Sequence, residues 1–352
     1  MPQALAVSPR SLGDHKNDIE TGDKHMYSRR NTLRALAGAS LVALSAVAAS
    51  AARADTFPSR PIKLVVPFGP GSGTDTSARY FGKKLSELTG QPVVVENKAG
   101  GNGFMAVRQV LSAPADGYTV FVGSNSTLAV NAALFKVLPY DPLVDFAPLS
   151  MMMRSPAMLV VPGNAPYKSL TEFIANAKSN PGKVNFGAGS AGYQLMGELF
   201  NDVAKVQTVH VPFKGASEAI TSVASGIVDY AFAEVTAVQE LVKGGRLKVL
   251  AVASNQRVAA SPNVPTMTEA GLPGFEVYTW VGAMVSAKTP ATEMAKLASL
   301  LTQIANLPET KAFYERIGAS VMTGGPEEMR KFQNQEVQLW KRIAAQAKVE
   351  LQ

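Results

Sequence analysis

From Ile62 onward the chain repeats one unit: a short apolar run, a loop of glycine and hydroxyl residues, then a stretch with helical spacing. Residues 62–68 (IKLVVPF) run into Gly69-Pro70-Gly71-Ser72-Gly73-Thr74-Asp75, and helical spacing follows to about Leu88. Residues 93–95 read as a second strand, 107–112 as a helix and 118–123 as a third strand. This alternation restricts the chain to the α/β class, because apolar strands joined by helices build mostly parallel sheets covered on both faces.

The pattern then starts again. Residues 158–161, 184–186, 208–211, 228–233 and 247–252 read as strands, and 169–179, 191–203, 217–224 and 237–243 as helices. The first of these helices is stopped by Asn180-Pro181-Gly182 and the last by Gly244-Gly245. Pro262, Pro265 and Pro273 mark an irregular stretch, residues 280–285 form one more strand, and 291–348 is a helical tail. A length of 352 residues suits two domains. The expected architecture is two doubly wound α/β lobes joined by two crossing segments, near residues 157–161 and 276–280. Lobe 1 takes residues 55–158 and 279–352, and lobe 2 is inserted between them as residues 159–278.

The first 54 residues read as an address. Ser28-Arg29-Arg30-Asn31-Thr32-Leu33-Arg34 precedes an uncharged, Ala/Ser-rich run over 35–52, and Ala52-Arg53-Ala54 supplies the small-x-small pattern of a cleavage site. The expectation is a cleavable signal, cut after Ala54, rather than a membrane anchor, for which the run is short and weakly apolar. Paired arginines also suit twin-arginine export, with general secretion the other route, and Met26 is an alternative start.

Composition removes several classes of function. The chain has no cysteine, so disulfides, thiolate nucleophiles and Cys-bound metals are out. It has 34 Lys+Arg against 27 Asp+Glu, a net charge of +7, but seven of the basic and four of the acidic residues lie in the leader. The remainder carries about +4 with no basic cluster, which argues against nucleic acid. Export without cysteine suits a bacterial periplasm. With His210 alone among the three histidines lying beyond the leader, no metal site and no cofactor are expected.

The candidate chemistry sits at strand ends. The loop from Gly69 to Asp75 opens a helix, where unpaired N–H groups and the helix dipole make either an anion site or a tight turn. Its spacing fits neither a dinucleotide fingerprint nor a Walker loop. Ser124, Ser126 and Thr127 follow the third strand at the same sheet edge, as a polar ligand contact or a helix cap. Gly187 to Gly192 lead to Tyr193 and Gln194, and Ala188-x-Ser190-x-Gly192 resembles a degenerate nucleophile elbow. A serine hydrolase is the remote alternative, because His210 is poorly placed in the chain to act as its base; a satisfied structural role is expected for it. Lys214 and Glu234 end two further strands, and Trp280 either lines a cleft or fills the core.

Taken together, the landmarks Pro58-Ser59-Arg60-Pro61-Ile62, Val65-Val66-Pro67-Phe68, Gln91-Pro92-Val93-Val94-Val95-Glu96-Asn97-Lys98, Asp116-Gly117-Tyr118-Thr119, Leu138-Pro139-Tyr140-Asp141-Pro142, His210-Val211-Pro212-Phe213-Lys214-Gly215 and Glu269-Ala270-Gly271-Leu272-Pro273-Gly274-Phe275 make the chain similar to a known family. It resembles the Bug family, the extracytoplasmic substrate-binding receptors of tripartite tricarboxylate transporters. The resemblance runs from about Phe57 to the C-terminus. It implies a two-lobed periplasmic binding protein of type II, a Venus flytrap, that closes on a small carboxylate through backbone amides and water. It also implies ligand contacts at Phe68, Gly71, Ser72, Gly73, Thr74 and Asp75, at Ser124, Ser126 and Thr127, and from the other lobe at Ser190, Tyr193, Phe213, Lys214 and Glu234. The partners it implies are membrane transporter subunits, or a membrane sensor kinase as the alternative, around a monomer. Three positions depart from the family pattern: Ser72 for glycine, Gln194 for histidine and Glu234 for aspartate.

Overall fold

The computed structural model describes residues 57–352, so the expected leader and its cleavage site lie outside the described residues. Along the chain run β1 (Ile62–Val66), α1 (Gly73–Thr89), β2 (Val93–Asn97), α2 (Phe104–Ser112) and β3 (Thr119–Ser124). A π-helical turn (Ser126–Val130), α3 (Asn131–Leu134) and β4 (Phe146–Pro162) follow. Then come α4 (Leu170–Ser179), β5 (Asn185–Ala188), α5 (Ala191–Ala204), β6 (Val209–Pro212), α6 (Ala216–Ala224), β7 (Tyr230–Glu234), α7 (Val235–Lys243) and β8 (Leu247–Val252). The chain ends with β9 (Tyr278–Ser286), α8 (Ala291–Ala305), α9 (Pro308–Arg316), β10 (Ser320–Val321) and α10 (Pro326–Gln346).

These strands form two doubly wound sheets that share one strand. The first has the order β2-β1-β3-β9-β4, with β10 also on β4; the second pairs β8 and β7 with β4, and continues β7-β5-β6. Within each, β2-β1-β3 and β7-β5-β6 are parallel, while β9 and β4 run antiparallel to their neighbours. The sheets are therefore mixed rather than uniformly parallel.

The largest difference from the sequence reading is β4. Residues 158–161 are only the end of a 17-residue strand that begins at Phe146. Pro148 and Pro156 disguise it, since proline inside a strand reads as an interruption. In the structure Pro148 lies at a register irregularity, a place where the missing N–H is tolerated. Pro156 lies where the strand changes sheets: it pairs with Tyr278 of β9, and the next residue, Ala157, pairs with Glu234 of β7.

Local signals set the helix ends that matter for the cleft. Ser72 caps α1 by accepting the Asp75 N–H, and Gly90 closes it in the left-handed region at φ 69. In the second lobe the rings of Phe173, Phe186, Phe200, Tyr230, Phe232 and Phe275 pack on one another. In the first, Ile62, Leu64, Val66 and Val120 of the sheet are buried together with Phe81 of α1, Leu297 of α8 and Tyr314 of α9. Among the described residues no helix is long and apolar enough to cross a membrane.

The helical tail is more than a cover for one lobe. Helix α10 packs on β4, on the Ser126–Val130 turn and on α5. Trp280 is core, 2% exposed, and donates its indole N–H to Glu336 of α10 at 2.7 Å. Gln333 of α10 is fully buried and donates to the Leu128 and Pro142 carbonyls at 2.9 and 3.0 Å. It thereby fixes the π-helical turn beside the cleft. Gln333→Ala leaves both carbonyls without that donor and should destabilise the fold by about 1–3 kcal/mol, read as a lower urea midpoint with an unchanged slope.

Candidate ligand-binding cleft

A cavity of about 250 Å³ lies where strand ends of the two sheets meet. Its walls come from Phe68 to Thr74 after β1, Ser124 to Ser126 after β3 and Ser190 to Tyr193 at the start of α5. Lys214 to Glu218, Glu234, Ala237 and Thr279 complete it. Most of these are carboxyl ends of strands, the edge at which open α/β sheets present unpaired backbone groups and take ligands. The volume fits a small molecule, at or below the low end of the usual pocket range.

The first loop is organised from below by Asp75. Its carboxylate accepts the Gly71 N–H at 3.0 Å, the Asn97 amide at 2.9 Å and the Arg79 guanidinium at 3.0 Å through two nitrogens. Asn97 also donates to the Phe68 carbonyl at 2.9 Å, so one side chain ties both ends of the loop. Burial pulls the Asp75 carboxyl upward, but Arg79, the Gly71 N–H and Asn97 outweigh it, and it titrates below the ordinary range. Asp75 is thus turned away from the cavity it was expected to line. Gly71 stands at φ 82, a backbone state that suits glycine. With the Gly71 and Asp75 N–H groups bonded within the loop and the Gly73 N–H turned to the Glu234 carboxyl, that of Thr74 remains as a donor at the helix start.

The second loop is a small hydroxyl network. Thr127 Oγ1 accepts the Ser124 N–H and donates to the Ser124 carbonyl, and Ser124 Oγ accepts the Ser126 N–H, each at 3.2 Å. Thr127 is fully buried in this network and does not line the cavity. Ser126 reaches across to the other lobe. Its hydroxyl donates to Ser190 Oγ at 3.1 Å and accepts the Gly192 N–H at 3.2 Å, at the N-terminus of α5. Ser190 is therefore paired with a serine, and no base contacts it.

From the second lobe, Tyr193, Lys214 and Glu234 line the cavity as expected. Phe213 does not: it packs beside Gly187 under the loop and faces a neighbouring cavity with His210 and Gln194. His210 departs from the satisfied role expected of it. Burial lowers its pKa against a bond to the Ala188 carbonyl, and its Nε2 is buried without a partner.

Glu234 is 8% exposed, and its carboxyl lies against Gly73 so closely that a Cβ there would overlap Oε2. Burial pushes its pKa up, against the opposing pull of Thr279, the Gly73 N–H and Tyr193. Burial and the nearby Glu234 charge push the Tyr193 phenol far above its usual range. Of the fourteen expected contacts, Phe68, Gly71, Ser72, Gly73, Thr74, Ser124, Ser126, Ser190, Tyr193, Lys214 and Glu234 share one cavity, while Asp75, Thr127 and Phe213 stand behind it. Asn125, Gly192, Ser217, Glu218, Ala237 and Thr279 also line it and stand outside those fourteen. Asn125 lay between two named serines, whereas Thr279 belongs to a strand that only the fold brings to the cleft.

The depressed Asp75 pKa fixes the sign of a pH effect. Its stabilising contribution is present above the unfolded carboxyl value near 4 and is lost as pH falls through the lower folded value. Asp75→Asn should therefore be less stable than the parent at neutral pH, with the gap in urea midpoint closing on acidification below about 4.

Comparison with known proteins places the chain. Residues 77–349 match the tripartite tricarboxylate transporter family receptor. Protein BugT of Bordetella pertussis is 35% identical over 317 residues, covering 88% of this chain and 96% of that protein. An R. palustris protein solved with adipate superposes with a TM-score of 0.81 at 30% identity, over 84% of this chain and all of the other. MatC from Rhodopseudomonas palustris, with bound malate, gives 0.77 at 31% identity over 82% and 99%. The chain belongs to the tripartite tricarboxylate transporter receptor family, the Bug-type solute-binding proteins, which are receptors and not enzymes.

Proposed function

We propose that the protein is a periplasmic receptor that captures a small organic carboxylate between its lobes and hands it to membrane subunits of a tripartite tricarboxylate-type transporter. The single observation that carries this reading is the cavity at strand ends, with the N-terminus of α1 and the Thr74 N–H opening onto it. Helix N-terminal amides favour an anion through their unpaired donors and the helix dipole. The similar proteins solved with adipate and with malate support the same ligand class. In this reading the ligand meets the first-lobe amides in an open cleft. Closure then adds Ser190, Tyr193 and Glu234, with the strands that cross between the lobes, β4 and β9, as hinges. Closure follows ligand only because the closed form binds it more tightly.

The test is a thermal-shift screen of protein made with its own N-terminal segment, recovered from the periplasm and refolded to strip carried ligand. The panel is organic acids, amino acids and their uncharged amides. An acid at a hundredfold over its Kd should stabilise the protein by about 2.7 kcal/mol, and its amide should not. No shift with any acid would remove the carboxylate reading. Gly73→Ala places a methyl group against Glu234 and the Met153 methyl, so it should lower affinity for the stabilising acid by about tenfold or more and cost the free protein about 1–3 kcal/mol of stability.

A further inference from the structure

In the cleft one buried amide has no hydrogen-bond partner, and one buried carboxyl has neutral hydrogen-bond donors but no cation beside it. Asn125 is 2% exposed and lines the cavity, yet its Nδ2 amide has no hydrogen-bond acceptor. It packs near Gly192, the first-turn residue of α5 whose N–H is already bonded to Ser126. A buried donor left unmatched is costly, and such groups are rare in folded proteins. Glu234, at the far end of β7, is a buried carboxyl with no ion-pair partner among the described residues. What faces it is a backbone N–H from Gly73, the Tyr193 hydroxyl and Thr279, all neutral. The other charged residues along the cavity are Lys214, on the loop after β6, and Glu218, in the first turn of α6, both exposed. The cleft is thus acidic at its buried end and has no buried cation.

We propose that this cleft selects a carboxylate that also carries an ammonium group, with Glu234 accepting from the ammonium and Asn125 donating to an oxygen of the same ligand. The inference rests on the carboxylate-receptor reading above and narrows it. An acid without the amine brings a second negative charge into a pocket that already holds Glu234, and like charges repel strongly where water is excluded. A zwitterion adds no net charge. Its ammonium supplies the cation that Glu234 lacks, and its carboxylate supplies the acceptor that Asn125 lacks. Both groups line one cavity of about 250 Å³, which a single small ligand can span. Glu234 therefore acts as a discriminator among carboxylates, and Asn125 as a ligand contact.

Matched series of ligands test this on the parent protein by calorimetric titration: glutamate, hydroxyglutarate and glutarate; aspartate, malate and succinate; alanine, lactate and propionate; phenylalanine, phenyllactate and phenylpropionate. The expected result is that in at least one series the amino member binds about tenfold or more tighter than both analogues. Glu234→Gln should then abolish that ranking, bringing the three members of the series within about threefold of each other. A hydroxy or unsubstituted acid that binds as tightly as its amino counterpart overturns the inference and leaves the carboxylate receptor standing. Silence of every member of every series overturns both. A Glu234→Gln protein that weakens all three members equally makes Glu234 a closure contact only, and overturns the inference as well. Should that variant fail to fold, the ranking in the parent protein decides alone.

Discussion

The pairing of β4 with β9 is the constraint on which everything else in this molecule hangs. One strand of 17 residues serves two sheets, and its antiparallel partner returns the chain from the second sheet to the first. Because β4 points the same way as β1 and β3 but against β5, β6 and β7, the carboxyl ends of the parallel strands in one lobe face those in the other. Loops that would each be a solvated turn in isolation become the two walls of a cavity. The polar character of that cavity follows from where it is made, since strand ends and helix starts are the places where backbone donors lack internal partners.

The sequence conveyed the class of fold because its signal is local. Apolar runs of strand length, glycine punctuation and amphipathic helices such as 170–179 each stand on a few neighbouring residues. It conveyed β4 poorly because Pro148 and Pro156 mimic interruptions, and only the ladder reveals that both fall at tolerated positions. The cleft was legible wherever a contact belongs to a glycine- or hydroxyl-rich loop. Asp75, Thr127 and Phe213 belong to those same loops but face backward, and pattern alone does not give the direction of a side chain. Asp75 in particular has a residue type that suggests ligand contact, whereas its bonds to Gly71, Arg79 and Asn97 make it the foundation of the loop. Thr279 was invisible for the opposite reason, as an ordinary strand residue delivered to the site by topology.

The two walls differ in how they use charge. The first lobe contributes amides and hydroxyls whose geometry is held by buried side chains beneath, including Gln333 from the far end of the chain. The second contributes the buried carboxyl of Glu234 and the exposed Lys214 and Glu218. A neutral wall thus stands opposite a charged one, and under the proposed function the first would set where a ligand sits and the second which ligand is tolerated there.

Pro156 stands where β4 changes sheets. An imino acid has no N–H, so the ladder has a missing rung at that residue, and its φ is held by the pyrrolidine ring. Twisting one sheet against the other about this point sacrifices no backbone bond from residue 156, and the ring removes one of the two torsions through which the motion could wander. In the proposed closure, the residue that hides the strand from pattern reading is also the one where the crossing would turn with the least loss of ladder bonding, a bearing rather than a loose joint.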